Sequence, residues 1–247
     1  MLYSKSGIVY VRAGMAPLAR QIRAERGWLN FFRSRLSFEE ILVPYFQGAR
    51  PFWRPTRPIG ASPVNKSGSL GRLVAELPDA VVSSHPSHAF AGHGRRVVEV
   101  LGHHTVESDC FYPIRELAKT VDFSMLLVGC LDESPGFSTV HAAQQMLGLS
   151  QRHLIRFLLR LDFEADGMIR SRVAPEAPGC SSSFGKFYPR YQQDGNWDEG
   201  EWGGVPWIFI PSAMRALKLE MSILEKHPRF VNCGRWLCPT CSFRTYL

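Results

Sequence analysis

The run Ser124-Met125-Leu126-Leu127-Val128-Gly129 is apolar almost throughout, and a little further on Ser138-Thr139-Val140-His141 opens a segment with a helical pattern. A short apolar run closed by glycine reads as a buried strand. The chain therefore leaves a strand, passes a loop and starts a helix with a histidine in its first turn. Ligands of α/β proteins bind at the carboxyl ends of strands, where such a turn lies. Histidine titrates closest to neutrality, so His141 suits a general base. Ser138 or Thr139 serves equally well as a helix N-cap, with His141 packed beside it.

Strand and helix patterns alternate on either side of this unit. Gly7 to Val11 reads as a first strand, Ala16 to Arg35 as an amphipathic helix, and Glu40 to Pro44 as a short buried strand. The stretch Gly48 to Ser69 is rich in Pro, Gly, Arg and Ser and reads as loop. A helix over Leu70 to Leu77, a strand over Ala80 to Ser84 and a helix over Arg95 to Leu101 follow. His103 and His104 at the end of that helix read as exposed residues beside its terminal carbonyls. Ile114 to Lys119 and Ala213 to Glu225 are further helices, while His153 to Leu161 fits either a strand or a helix. The pattern predicts one α/β domain over 1–247, a central mixed sheet flanked by helices. Its core is expected over 1–164, with a smaller loop-rich C-terminal lobe over 165–247.

With 247 residues, 45% of them hydrophobic and 12% aromatic, the chain has enough apolar side chains for a sizeable core. It contains no run of about 18 apolar residues that reads as a membrane span, and its first residues read as a strand rather than a secretion signal. A cytoplasmic, membrane-independent protein is expected. The formal charge of +7 favours anionic ligands. The basic residues are dispersed and match no nucleic-acid-binding motif, so no nucleic-acid partner is expected.

Cys110 and Cys130 sit in or beside apolar segments and read as buried thiols. Cys238-Pro-Thr-Cys241 is a C-x-x-C pair, preceded by Cys233 and, far upstream, by Cys180. Four thiolates suffice for a tetrahedral structural zinc that would pin the tail to the body; four free thiols are the alternative.

In order along the chain, four stretches resemble the aminoglycoside 3-N-acetyltransferase family. They are Glu40-Ile-Leu-Val-Pro-Tyr-Phe-Gln-Gly48 with Pro51-Phe52; Ser83-Ser-His-Pro-Ser-His-Ala-Phe-Ala-Gly-His-Gly94; Leu126-Leu-Val-Gly129 with Ser138-Thr-Val-His141; and Val173-Ala-Pro-Glu176 with Cys180. The resemblance spans roughly residues 7–190 and implies acetyl transfer from acetyl-coenzyme A, the cosubstrate, to a small-molecule amine. It implies His141 as the base, Glu176 as its orienting carboxylate and Thr139 as a donor near the thioester. His85, Ser87, His88 and Ser138 would help to form the cofactor cleft.

The chain departs from the family pattern at several of its points. Val11-Arg-Ala-Gly14 stands where the family has a His-Ser-Ser turn, Ala89 replaces a serine, and Gln144 replaces an acidic residue three past the histidine. The acidic residues expected near the substrate amines are absent, with Ala49, Arg50, Arg54 and Arg57 in that region. The resemblance implies an amine of an aminoglycoside or related amino sugar as the acceptor. Because polycations need carboxylates when they are desolvated, these departures admit an amino sugar or a biosynthetic amine in place of the antibiotic. A non-catalytic member that binds a ligand or partner is the alternative.

Overall fold

The computed structural model describes residues 2–57, 65–133, 135–177, 180–236 and 238–242. Its strands are β1 (Leu2–Ala13), β2 (Leu36–Phe46), β3 (Arg50–Pro51), β4 (Val81–Val82), β5 (His88–His93), β6 (Phe123–Val128), β7 (Leu159–Ala165), β8 (Met168–Val173), β9 (Asp198–Trp202) and β10 (Val205–Ile210). Seven of them form one sheet in the order β4-β5-β2-β1-β6-β10-β9. The three central strands, β2, β1 and β6, run parallel, and antiparallel pairs extend the sheet on both sides. A second sheet, β3-β7-β8, is antiparallel.

The helices are α1 (Met15–Ala24), α2 (Trp28–Arg33), α3 (Ser69–Ala75), α4 (Arg95–Gly102), α5 (Tyr112–Leu117), α6 (Ser138–Met146), α7 (Tyr188–Gln193), α8 (Ala213–Lys226) and α9 (Pro239–Ser242). Alternation along β1 sends Ile8 and Tyr10 into one core and Val9 and Val11 into the other. The first core joins residues of α4, α5, α6 and α8; the second joins residues of α1, α2 and α3. In β6, Met125 and Leu127 enter the first core, while Leu126 and Val128 enter the second. A strand covered on both faces must be apolar at consecutive positions, which is why this run carries no alternation.

The expected mixed sheet flanked by helices is therefore the observed fold. Beyond residue 164 the chain divides: β8 completes the small sheet, while β9, β10 and α8 return to the large one. The single helix expected over Ala16 to Arg35 is broken into α1 and α2 at Arg26 and Gly27, whose φ values are 59° and 133°. The second of these conformations favours glycine. His153 to Leu161 resolves into a 3-10 turn, Leu154–Leu158, followed by β7. His104 is fully buried rather than exposed: its ring stacks on His85, with Ser83 Oγ 3.0 Å from its Nδ1. Residues 58–64 of the expected Gly48 to Ser69 loop lie outside the described residues. Among the described residues, no helix is long and apolar enough to cross a membrane.

Candidate active site

The parallel strands β1 and β2 end together, and a cleft of about 650 Å³ opens at their carboxyl ends. Residues 11–16 form one wall and Pro44, residues 46–48 and residues 66–71 another, with His88, Cys130 and Glu133 also facing it. The turn from β1 to α1 lies hard against the end of β6. The Gly14 amide donates to the Val128 carbonyl at 2.9 Å, and a Cβ on Gly14 would stand 2.0 Å from the Gly129 carbonyl oxygen. Only glycine fits this crossing, which fixes where the N-terminus of α1 meets the cleft.

His141 lies in the first turn of α6, directly downstream of β6. Its ring is stacked on Phe111, with centroids 4.7 Å apart and planes at 19°, and the edge of Phe184 closes the other contact at 4.7 Å. His141 Nδ1 lies 3.2 Å from Gln144 Oε1. An amide oxygen only accepts, so this contact places the hydrogen on Nδ1 and leaves the lone pair on Nε2. The Phe111 ring also lies 5.4 Å from the ring of His88, so it touches both a residue of the cleft wall and the His141 imidazole, which is not itself among the residues lining the cleft.

Glu176 is buried, and both of its oxygens are engaged. Oε1 accepts from the Cys110 amide at 2.8 Å and from Gln145 Nε2 at 2.5 Å, while Oε2 accepts from Ser150 Oγ at 2.9 Å. Gln145 in turn accepts from the Phe111 amide at 3.2 Å. One carboxylate thus ties the segment before α5 to the second turn of α6, and so ties the Phe111 wall to the helix that carries His141.

Thr139 and Ser138 are placed differently from expectation. Thr139 is wholly buried, and its hydroxyl donates to Glu220 Oε1 at 2.7 Å, so its hydrogen is engaged inside the core rather than offered to a thioester. Ser138 is buried and pairs with the Tyr10 hydroxyl at 2.7 Å, so it faces the sheet rather than a cofactor. Burial raises the Glu220 pKa to about 8, although the hydroxyls of Tyr191 and Thr139 pull it down.

Of the other cleft candidates, His88 lines the wall, whereas His85 and Ser87 are buried behind it. His85 Nδ1 accepts from the amides of Ser87 (3.3 Å) and His88 (3.1 Å), holding the turn into β5. Burial lowers the pKa of His85 to about 2, that of His88 to about 4 and that of His104 to about 3. The charges of His104 and His88 add to the effect at His85. His85, His88 and Cys110 lie close enough to suggest a metal site. However, the Ser87 hydroxyl occupies their centre, 2.9 Å from His88 Nδ1, 3.5 Å from His85 Nδ1 and 4.0 Å from Cys110 Sγ. The two backbone amides also occupy the Nδ1 lone pair of His85, so the group does not suit a metal.

The second cluster does fit one. The sulfurs of Cys180, Cys233, Cys238 and Cys241 all lie within 4.8 Å of one another, with those of Cys233 and Cys241 3.6 Å apart. Tetrahedral zinc with Zn–S bonds of about 2.3 Å sets its sulfurs roughly 3.8 Å apart. The Thr240 carbonyl next to Cys241 bonds His153 Nε2, so the same tail segment is anchored to the 3-10 turn before β7.

Sequence reasoning missed the aromatic walls, Phe111 and Phe184. Their signal is tertiary, since neither neighbours His141 in the chain. Gln144 was legible from its spacing to His141.

Together these features define an α/β protein with a histidine-bearing helix beside a cleft at the carboxyl ends of its parallel strands. Residues 42–219, well over half of the chain, match the family model for aminoglycoside 3-N-acetyltransferase, and the chain belongs to this family. Among solved structures, the apoenzyme of the aminoglycoside acetyltransferase AAC(3)-IVa is similar at 17% identity and a TM-score of 0.71, covering 97% of this chain and 89% of that one. A mutant of the same enzyme in complex with a gentamicin has 18% identity and a TM-score of 0.70, covering 93% and 86%. AAC-IIIb in a binary complex with CoASH has 15% identity and a TM-score of 0.67, covering 90% and 91%. No curated protein sequence matches the chain.

Proposed function

We propose that the protein is an acetyl-coenzyme A-dependent N-acetyltransferase acting on an amine of an aminoglycoside or related amino sugar. The observation that carries this reading is His141, held between two aromatic rings in the first turn of α6, with its Nδ1 directed to Gln144. Family membership supports it, as does AAC-IIIb, which has been solved with CoASH.

When bound, acetyl-coenzyme A supplies the activated acetyl thioester. The cleft at the end of β1 suits the anionic cosubstrate, because the α1 N-terminus and Arg12 stand on one wall. An ammonium has no lone pair with which to attack. The acceptor therefore reacts as the neutral amine: as its nitrogen bonds to the acetyl carbon, His141 Nε2 takes the proton that this nitrogen loses, and as the C–S bond breaks it returns that proton to the departing thiolate to give the free thiol. Gln144 Oε1 accepts from Nδ1, which puts the ring's acceptor lone pair on Nε2. Glu176 is a positioning residue, acting on His141 through Gln145 and the Phe111 wall. Zinc held by Cys180, Cys233, Cys238 and Cys241 would be structural, since four thiolates leave no open coordination position.

Calorimetric titration with acetyl-coenzyme A, followed by thiol release in the presence of amines, tests the reading. Saturable binding with amine-dependent release supports it. Binding without release across a panel of amines would favour a non-catalytic binding protein, and no binding would remove the cosubstrate altogether.

A further inference from the structure

Between Glu40 and Glu76 the sequence contains no acidic residue, yet Arg50, Arg54, Arg57, Lys66 and Arg72 all fall there. The structure gathers part of this charge at the end of β2. Arg50 and Arg160 share the buried carboxylate of Asp162, their Nε atoms lying 3.7 and 3.0 Å from its oxygens. Asp162 also accepts from Ser171 Oγ at 2.7 Å and from the backbone amide of Arg57 at 3.3 Å, so both of its oxygens are taken. Arg50 and Arg160 are further engaged by loop carbonyls, those of Pro55 and Arg54. These two arginines are therefore explained as braces of the loop.

Arg57 is not. Among the described residues its guanidinium makes one side-chain hydrogen bond, from Nη2 to Gln47 Oε1, and no ion pair. Gln47 lines the cleft, as does Lys66, which likewise has no ion pair among the described residues. Burial and the charge of Arg50 both lower the Arg57 pKa, whereas Asp162 raises it. A partly desolvated cation beside a like charge is stabilised by an incoming anion. The planar guanidinium also has donors in the fork that matches phosphate or carboxylate.

We propose that Arg57 and Lys66 form an anion-binding subsite on the β2–α3 side of the cleft, and that the acceptor is an amine that also carries a phosphate or carboxylate. The word acceptor rests on the acetyltransferase reading; the subsite itself does not. The subsite draws on Lys66 and, through Gln47, on Arg57, whereas the cosubstrate contacts are assigned to Arg12 and the N-terminus of α1. A polycation such as gentamicin meets repulsion where the anion would bind.

Calorimetry with glucosamine 6-phosphate, glucosamine and gentamicin tests this on the wild type and on Arg57→Gln and Lys66→Gln, with acetyl-coenzyme A titrated separately. Glucosamine 6-phosphate is expected to bind about tenfold or more tightly than glucosamine, the scale of a charged hydrogen bond. Arg57→Gln abolishes that advantage and leaves the affinity for acetyl-coenzyme A the same, and Lys66→Gln reduces the advantage. Equal affinities for the two sugars, tighter gentamicin binding, or an advantage that survives both substitutions would overturn the proposal. Loss of acetyl-coenzyme A affinity in Arg57→Gln, with sugar-phosphate binding intact, would assign the anion to the cosubstrate and also overturn it. Arg57-dependent sugar-phosphate binding without thiol release from any amine would uphold the subsite and reject acetyl transfer.

Discussion

His141 Nδ1 and Gln144 Oε1 face each other at 3.2 Å across one turn of α6. The contact fixes the imidazole tautomer without placing a charge beside it. Gln144 Nε2, at the other corner of the same amide, is buried and has no hydrogen-bond partner among the described residues. An unpaired buried donor destabilises its surroundings, so the glutamine is not the residue that packing alone favours here.

Gln144→Glu should therefore strengthen the base. A carboxylate accepts from Nδ1 as the amide does and also favours the imidazolium that forms when the amine gives up its proton. The acid limb of the kcat/KM profile should move to higher pH. A profile identical to that of the wild type would show that position 144 does not act on His141.

Glu176→Gln should disturb both stability and turnover. The Cys110 amide and Gln145 Nε2 both donate to Oε1 and Ser150 Oγ donates to Oε2, so a glutamine loses the charge that these donors meet and turns its NH2 to one side of the group. The expected loss is about 1–3 kcal/mol of stability, read by denaturant unfolding, and about 10²-fold in kcat. A stable variant with unchanged kcat would contradict the positioning role.

Stability should fall on both the acid and the alkaline side. His85, His88 and His104 have folded pKa values of about 2, 4 and 3, below the ordinary histidine value. The unfolded chain therefore binds more protons as pH drops below about 6.5, and the melting temperature should decline there. Glu220 has the opposite sign. Its folded pKa of about 8 exceeds the unfolded one, so its contribution is complete below about pH 4.5 and is lost as pH rises through 8. Glu220→Gln should flatten the alkaline decline, as measured by melting scans across pH. An undiminished slope in that variant would show that Glu220 does not cause it.

The cysteine cluster predicts about one zinc per chain by metal analysis, released by a strong chelator with a drop in melting temperature. Cys238→Ser should lower the zinc content and leave the protein close to the chelated wild type in stability. Metal-free protein with an unaltered melting curve after chelation would identify the four residues as free thiols.

The fold was legible because β6 and the Ser138–His141 turn obey strong local rules: an apolar run, then a loop, then a helix start. The same local signals could not show where a hydroxyl points. Thr139 and His141 are two residues apart in one helical turn, and the helix sends them to different surroundings, Thr139 to Glu220 and His141 to Phe111 and Phe184. His104 looked like a solvent-facing helix end, but the ring of His85, brought close by the turn into β5, covers it. The partners of Glu176 also come from separate segments, at Cys110, Gln145 and Ser150, and only the folded chain gathers them.

The most direct test of the central claim is acetyl-coenzyme A thiol release by wild type and His141→Ala at saturating amine, across pH, alongside acetyl-coenzyme A binding to both. The account predicts that His141→Ala binds the cosubstrate as the wild type does but loses about 10² to 10⁴ in kcat, together with the acid limb of the pH profile. A variant that releases thiol at the wild-type rate would contradict it and place the base elsewhere.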